Sequence, residues 1–216
     1  MLIALVLFEN HTALDAVGPY EVLSRIPGAE TVFVAEKEGQ YRTDTGHLAL
    51  TADATFADVR RPDIVFVPGG FGQTAHMADG PMHEWLREVD ANTTWTTSAC
   101  TGSLILAAAG LLKGRRATTH WLAVDQLPGL GAVPDDSRVV FDGKYVTAAG
   151  VSAGIDMALH LTARMAGDAL AQAIQLGIEY DPQPPYDAGA PGKAPAHIRA
   201  AVSAQRDHIL LGRPRA

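Results

Sequence analysis

One cysteine, Cys100, is all the chain has. An intramolecular disulfide is therefore excluded, and so are zinc sites built on two or four thiolates. Whatever Cys100 does, it does as a thiol. Positive charge is scarce as well: 17 Lys and Arg against 24 Asp and Glu give a formal net charge of -7. That is the wrong sign for a surface that tracks phosphates, so no nucleic acid is expected as a partner. The densest basic cluster, Lys113, Arg115 and Arg116, reads as a solvated turn after a helix. No apolar run approaches the roughly 20 residues needed to cross a bilayer. Met1 leads straight into an apolar stretch, without the basic region or cleavage site of a secretory signal. These absences predict a cytoplasmic protein with no membrane partner. A phosphate-binding glycine loop, a hydrolase-like Ser, His, Asp spacing and a His or carboxylate cluster of metal-ligand spacing are also missing, so neither cofactor nor metal is called for.

What is present is an ordinary globular composition, 47% hydrophobic and 19% charged over 216 residues, a length that suits one domain spanning 1–216. Four short apolar runs, Leu2 to Phe8, Thr31 to Ala35, Asp63 to Val67 and Thr94 to Ala99, are bounded by turn signals and read as strands. Between them lie helical periods, Leu14, Val17, Val22 and Leu23, then Met82, Trp85, Leu86 and Val89. The alternation predicts an α/β three-layer sandwich, a mostly parallel central sheet flanked by helices. Tyr41 to Thr51 reads as a small hairpin excursion. Asp142-Gly143 predicts a two-residue turn between strands near the sheet edge, because that dipeptide tolerates the positive φ angles the turn requires. After Gly150 two helical stretches should cover the sheet. Tyr180 to Pro195, with five prolines, is expected to be irregular, and Ala196 to Leu211 to form a closing helix.

Cys100 ends the fourth strand and precedes a helix-forming run, Leu104 to Ala109, with small residues at Ser98 and Gly102. That spacing is the one a nucleophile elbow needs, since its sharp strand-to-helix turn leaves no room for bulk. The positive end of the helix is expected to ease ionisation of the thiol. Without the elbow spacing, a small buried hydrophobe is an equal reading of Cys100. Asp15, beyond the carboxyl end of the first strand, lies where sites gather in parallel sheets. It is the best candidate to hold or move the thiol's proton, although by spacing alone a helix N-cap is the commoner role. Pro68-Gly69-Gly70 ends the third strand with unobstructed backbone N–H groups; Gly69 and Gly70 are candidates for stabilising negative charge beside Cys100, or form a plain turn. His120 and Trp121 are candidate pocket residues, His120 a general base in principle and more commonly a core or helix-start histidine.

The stretch Ser98-Ala99-Cys100-Thr101-Gly102-Ser103, with Ala117-Thr118-Thr119-His120-Trp121, Leu14-Asp15-Ala16-Val17-Gly18-Pro19 and Pro68-Gly69-Gly70, resembles the DJ-1/PfpI superfamily and, within it, the isocyanide hydratase branch. The resemblance covers nearly the whole chain. It implies a cofactor-independent homodimer that converts an isocyanide and water to an N-substituted formamide, with Cys100 as nucleophile, Asp15 as proton carrier and Thr101 orienting Asp15 through its hydroxyl. The protease and glyoxalase-like branches place His after the cysteine and Glu near the first strand. Here those positions hold Thr101 and Asp15, which argues against a peptidase. Two alternatives come with the resemblance: a free-standing small-molecule sensor similar to those of AraC-type regulators, although no helix-turn-helix pattern is expected after Leu211, and a glyoxalase or redox-stress protein acting through Cys100. The Tyr180 to Pro195 loop of a partner subunit is a further expected contributor to the site.

Overall fold

The computed structural model describes residues 1–212. In chain order the first half comprises β1 (Leu2–Val6), α1 (Ala13–Leu23), β2 (Glu30–Ala35), β3 (Gly39–Arg42), β4 (Ala49–Ala52), β5 (Ala54–Thr55), β6 (Ile64–Val67), α2 (Pro81–Asp90), β7 (Trp95–Ala99) and α3 (Gly102–Ala108). There follow β8 (Arg116–Ala117), β9 (Val133–Pro134), β10 (Val139–Asp142), β11 (Tyr145–Ala148), α4 (Ala153–Ala166), α5 (Asp168–Gly177), α6 (Ala196–Ser203) and α7 (Arg206–Leu211).

Seven strands form one sheet in the order β10-β11-β7-β6-β1-β2-β5. Every neighbouring pair in it is parallel except β10 with β11, the hairpin that the Asp142-Gly143 turn closes at the edge. The excursion after β2 is the antiparallel pair β3 and β4, outside the main sheet. In β1, Ile3 and Leu5 face one apolar cluster while Ala4 and Val6 face the other. Both faces of a parallel strand are thus covered, which is why these runs are apolar throughout rather than alternating. On one side Met82, Trp85, Leu86 and Val89 of α2 pack with Leu104 and Ile105 of α3. On the other, Val22 and Leu23 of α1 pack with Met157 and Leu161 of α4 and Ile174 of α5.

The closing helix expected over 196–211 is two helices, with Ala204 and Gln205 between them. After that break α7 buries Leu210 in the cluster on the α2 and α3 side. No helix among the described residues is long and apolar enough to cross a membrane.

Candidate active site

Three adjacent parallel strands, β1, β6 and β7, place their carboxyl ends side by side, and each delivers one part of the site. β7 ends at Cys100, which takes φ 53. Residues with a side chain are uncommon in that left-handed region, and such strain concentrates at functional turns. The cysteine N–H is tied to the end of β11, through Ala148 O at 3.1 Å and Ala149 O at 2.7 Å. Its carbonyl accepts the Thr119 hydroxyl at 2.9 Å. The elbow also needs its glycine: a Cβ on Gly102 would sit 2.1 Å from Val67 O. β6 ends at Pro68-Gly69-Gly70, and the loop after β1 leads into the first turn of α1, which carries Asp15.

Asp15 is fully buried. It is not the N-cap of α1; that position is Thr12, and Asp15 is the third helical residue. Its Oδ2 accepts the Gly69 N–H at 2.8 Å, while Oδ1 has no conventional hydrogen-bond partner and the Cys100 thiol lies against the carboxyl. Burial disfavours its ionised form and pushes its pKa up to about 7, against the smaller opposing effects of Gly69 N–H and the thiol. The thiol is pushed up too, first by burial and then by the negative charge of Asp15, with the N–H and hydroxyl of Thr101 working the other way. This reverses the expectation that the helix terminus would ease ionisation of Cys100: desolvation and a neighbouring anion outweigh the partial charge of one short helix. The two groups form a buried coupled pair: the thiol keeps its proton at neutral pH, while Asp15 loses its own as pH rises through about 7.

The remaining candidates fall into different places than the sequence suggested. The Gly69 N–H is donated to Asp15, and the Gly70 N–H to Thr101 Oγ1 at 3.0 Å. Neither stands open beside Cys100; both fix the side chains around it. The Thr101 hydroxyl bonds Gly70, donating to its carbonyl at 3.2 Å, and so does not orient Asp15 by a hydrogen bond. Gly69 is also where the three parts touch, since a Cβ there would lie 2.5 Å from Thr101 N and 2.8 Å from Asp15 Oδ2.

His120 and Trp121 line a cleft of about 790 Å³ together with Leu14, Thr119 and Gly150. His120 is held toward its neutral form by burial, and its Nδ1 accepts the Leu122 N–H at 3.3 Å. It does not join the thiol–carboxyl pair, whose interactions run through Asp15, Thr101 and Gly69. Gly189, Ala190, Pro191 and Gly192 of the irregular segment also line this cleft, whereas Cys100 and Asp15 lie behind its wall and do not line it. Sequence reasoning passed over Thr119, whose hydroxyl anchors the elbow; the Thr118-Thr119 pair beside His120 was the available signal. Among the described residues no group of three or more His, Cys, Asp or Glu side chains gathers as a metal site.

The fold and elbow define an α/β protein with a cysteine at the strand-to-helix turn. The DJ-1/PfpI family model matches residues 1–164, and the chain belongs to that family. It is 43% identical over 196 residues to an isonitrile hydratase of Pseudomonas putida, covering 91% of this chain and 86% of that one. It is 35% identical over 128 residues to the HTH-type transcriptional regulator CdhR of Pseudomonas aeruginosa, covering 57% of this chain and 37% of the regulator. Among solved structures, a ThiJ/PfpI family protein from Pseudomonas syringae superposes with a TM-score of 0.90 at 38% identity, covering 98% of this chain and 90% of that one.

Proposed function

We propose that the protein is an isocyanide hydratase that needs no cofactor and uses Cys100 as nucleophile. The observation that carries this reading is the buried pair of an elbow thiol and a carboxyl with its pKa near 7, behind a cleft wide enough for a small organic molecule whose lining residues Thr119 and Ala149 bond the Cys100 backbone. The relation to an isonitrile hydratase supports the choice of substrate.

Asp15 takes the thiol proton as the sulfur attacks the terminal carbon of R–NC, so a charged thiolate need not exist in the resting site. The same proton is then delivered to that carbon, which completes the thioimidate R–N=CH–S–Cys100. Asp15, ionised again, draws a proton from water as the oxygen adds to the carbon and passes that proton to the nitrogen. Collapse of the R–NH–CH(OH)–S intermediate breaks the carbon–sulfur bond, releases R–NH–CHO and returns the proton to the thiol. A carboxyl with a pKa near the operating pH suits both directions of transfer. Gly69 N–H holds Asp15 in place through Oδ2, and the backbone N–H of Thr101 favours negative charge on sulfur. His120 and Trp121 shape the cleft that receives R.

The test is incubation of purified protein with an apolar isocyanide, following the formyl proton of the product by NMR, with methylglyoxal as control substrate. Catalytic formamide production with methylglyoxal untouched is expected. Turnover of methylglyoxal instead, or tight binding of a small molecule without turnover, would replace the reading with a glyoxalase or a sensor. The proposal includes a homodimer acting in the cytoplasm; exposed Leu14 at the cleft offers apolar surface for a second copy, and sedimentation velocity measures the assembly.

A further inference from the structure

The first turn of α1 carries a helix cap that the fold does not use. Thr12 is the N-cap and Asp15 lies three positions on. At that spacing a threonine hydroxyl can accept the third helical N–H while the acid reaches back to the threonine N–H. Neither arm forms. The Thr12 side chain makes no cap bond; its hydroxyl donates to Asp44 Oδ2 at 2.6 Å, across 32 residues. The Thr12 N–H goes to Gly69 O at 2.8 Å, and the Asp15 carboxylate takes the Gly69 N–H at 2.8 Å. Both local bonds have been exchanged for tertiary ones.

Asp44 is itself well held. It follows β3 in the excursion, its N–H donates to His11 O at 2.9 Å, and Asn10 N–H donates to Arg42 O at 2.7 Å. Thr43 and His11 form an isolated parallel bridge. The excursion is thereby laced along the loop that leads into α1, with the Thr12–Asp44 bond as the last stitch before Asp15.

We propose that Asp44 is a positioning residue: its bond to Thr12 fixes the first turn of α1 in the placement that sets the Asp15 carboxylate against Gly69 and Cys100. The proposal rests on the reading of Cys100 and Asp15 as the reacting pair. The titratable groups around that pair are few. Cys100 faces Asp15 from the elbow and Asp44 acts on it from the excursion. Asp44 and Glu9 both act on the buried His11, whose pKa is lowered by burial against them. Losing the acceptor at Asp44 lets Thr12 turn back to cap its own helix and frees the turn that carries Asp15.

The test compares Asp44→Ala, Asp44→Asn, Thr12→Val, Thr12→Ser and the double variant Asp44→Ala/Thr12→Val. Two readouts are used: kcat for formamide formation, and the rate of iodoacetamide alkylation of the sole cysteine against pH. Asp44→Ala and Thr12→Val should each lower kcat roughly tenfold to a hundredfold, the scale of a misplaced catalytic group. The double variant should lose no more than either single one, because both break one bond. Asp44→Asn and Thr12→Ser keep the acceptor and the donor and should recover kcat to within about threefold of wild type. The alkylation midpoint should fall in Asp44→Ala and Thr12→Val, where the thiol escapes the Asp15 charge, and stay high in Asp44→Asn. Wild-type kcat and alkylation profile in either breaking variant would overturn the proposal, as would losses that multiply in the double variant or an Asp44→Asn variant as impaired as Asp44→Ala. Should wild-type protein hydrate no isocyanide, the functional reading fails while the alkylation profiles still decide the role of Asp44.

Discussion

Replacing Gly69 by alanine puts one methyl group where the three parts of the site meet. The new Cβ would lie 2.5 Å from Thr101 N, 2.7 Å from Thr101 Oγ1 and 2.8 Å from Asp15 Oδ2. The nearest of these is a backbone atom of the elbow, which cannot swing aside as a side-chain tip would. The approach is roughly 0.9 Å short of the 3.4 Å at which ordinary contact begins, and a shift of that order at a reacting pair costs about a hundredfold in rate. Overpacking of this kind costs about 1–3 kcal/mol of stability, so the folded protein should persist with a lowered Tm. The assay is kcat/KM for isocyanide hydration beside a thermal melt, with Gly129→Ala as control, since no atom lies within 4 Å of a Cβ at that position. An active Gly69→Ala protein, within a factor of about three of wild type and with an unchanged melt, would refute the geometry on which the account rests.

Three other substitutions probe separate features. Asp15 has a folded pKa of about 7 against 3.8 for an ordinary aspartate carboxyl, so its contribution to stability is complete below pH 3.8 and is lost as pH rises through 7; Asp15→Asn should therefore abolish turnover yet stabilise the fold at pH 8, by no more than about 4 kcal/mol, read as a raised Tm. The same group should give wild-type kcat/KM an acid limb that rises through pH 7, and a flat profile across that range would contradict its part as base. Thr101→Val strips the hydroxyl that satisfies both the N–H and the carbonyl of Gly70; urea unfolding should show a loss of about 1–3 kcal/mol, largely restored by Thr101→Ser. Trp121→Ala should raise KM for an aryl isocyanide roughly tenfold, as ~1–2 kcal/mol of apolar contact in the cleft goes, while methyl isocyanide is little affected.

The layered fold was legible because its signals are local. Doubly buried strands such as Leu2–Val6 must be apolar on both faces, and Asp142-Gly143 announces its own turn. The elbow at Cys100 was legible for the same reason, as Ser98 and Gly102 are small where space is short. The chemistry around it was not. The acidity of Cys100 was read from the nearby helix, whereas it is governed by burial and by Asp15, 85 positions away in sequence. The N–H groups of Gly69 and Gly70 looked free until the fold supplied Asp15 and Thr101 as their acceptors. Thr12 and Asp15 carry the spacing of a local cap, and only the arrival of Asp44 and Gly69 shows why that cap is not made. Desolvation and long-range hydrogen bonds leave no trace in a window of neighbouring residues.

The central claim is that Cys100 bonds to substrate carbon. Acid quench during steady-state turnover, followed by intact-mass and peptide analysis, measures this directly. The expected result is a mass increase equal to one isocyanide, confined to the peptide that holds Cys100 and absent from Cys100→Ala, which should be inactive. An unmodified Cys100 together with full hydratase activity in Cys100→Ala would contradict it.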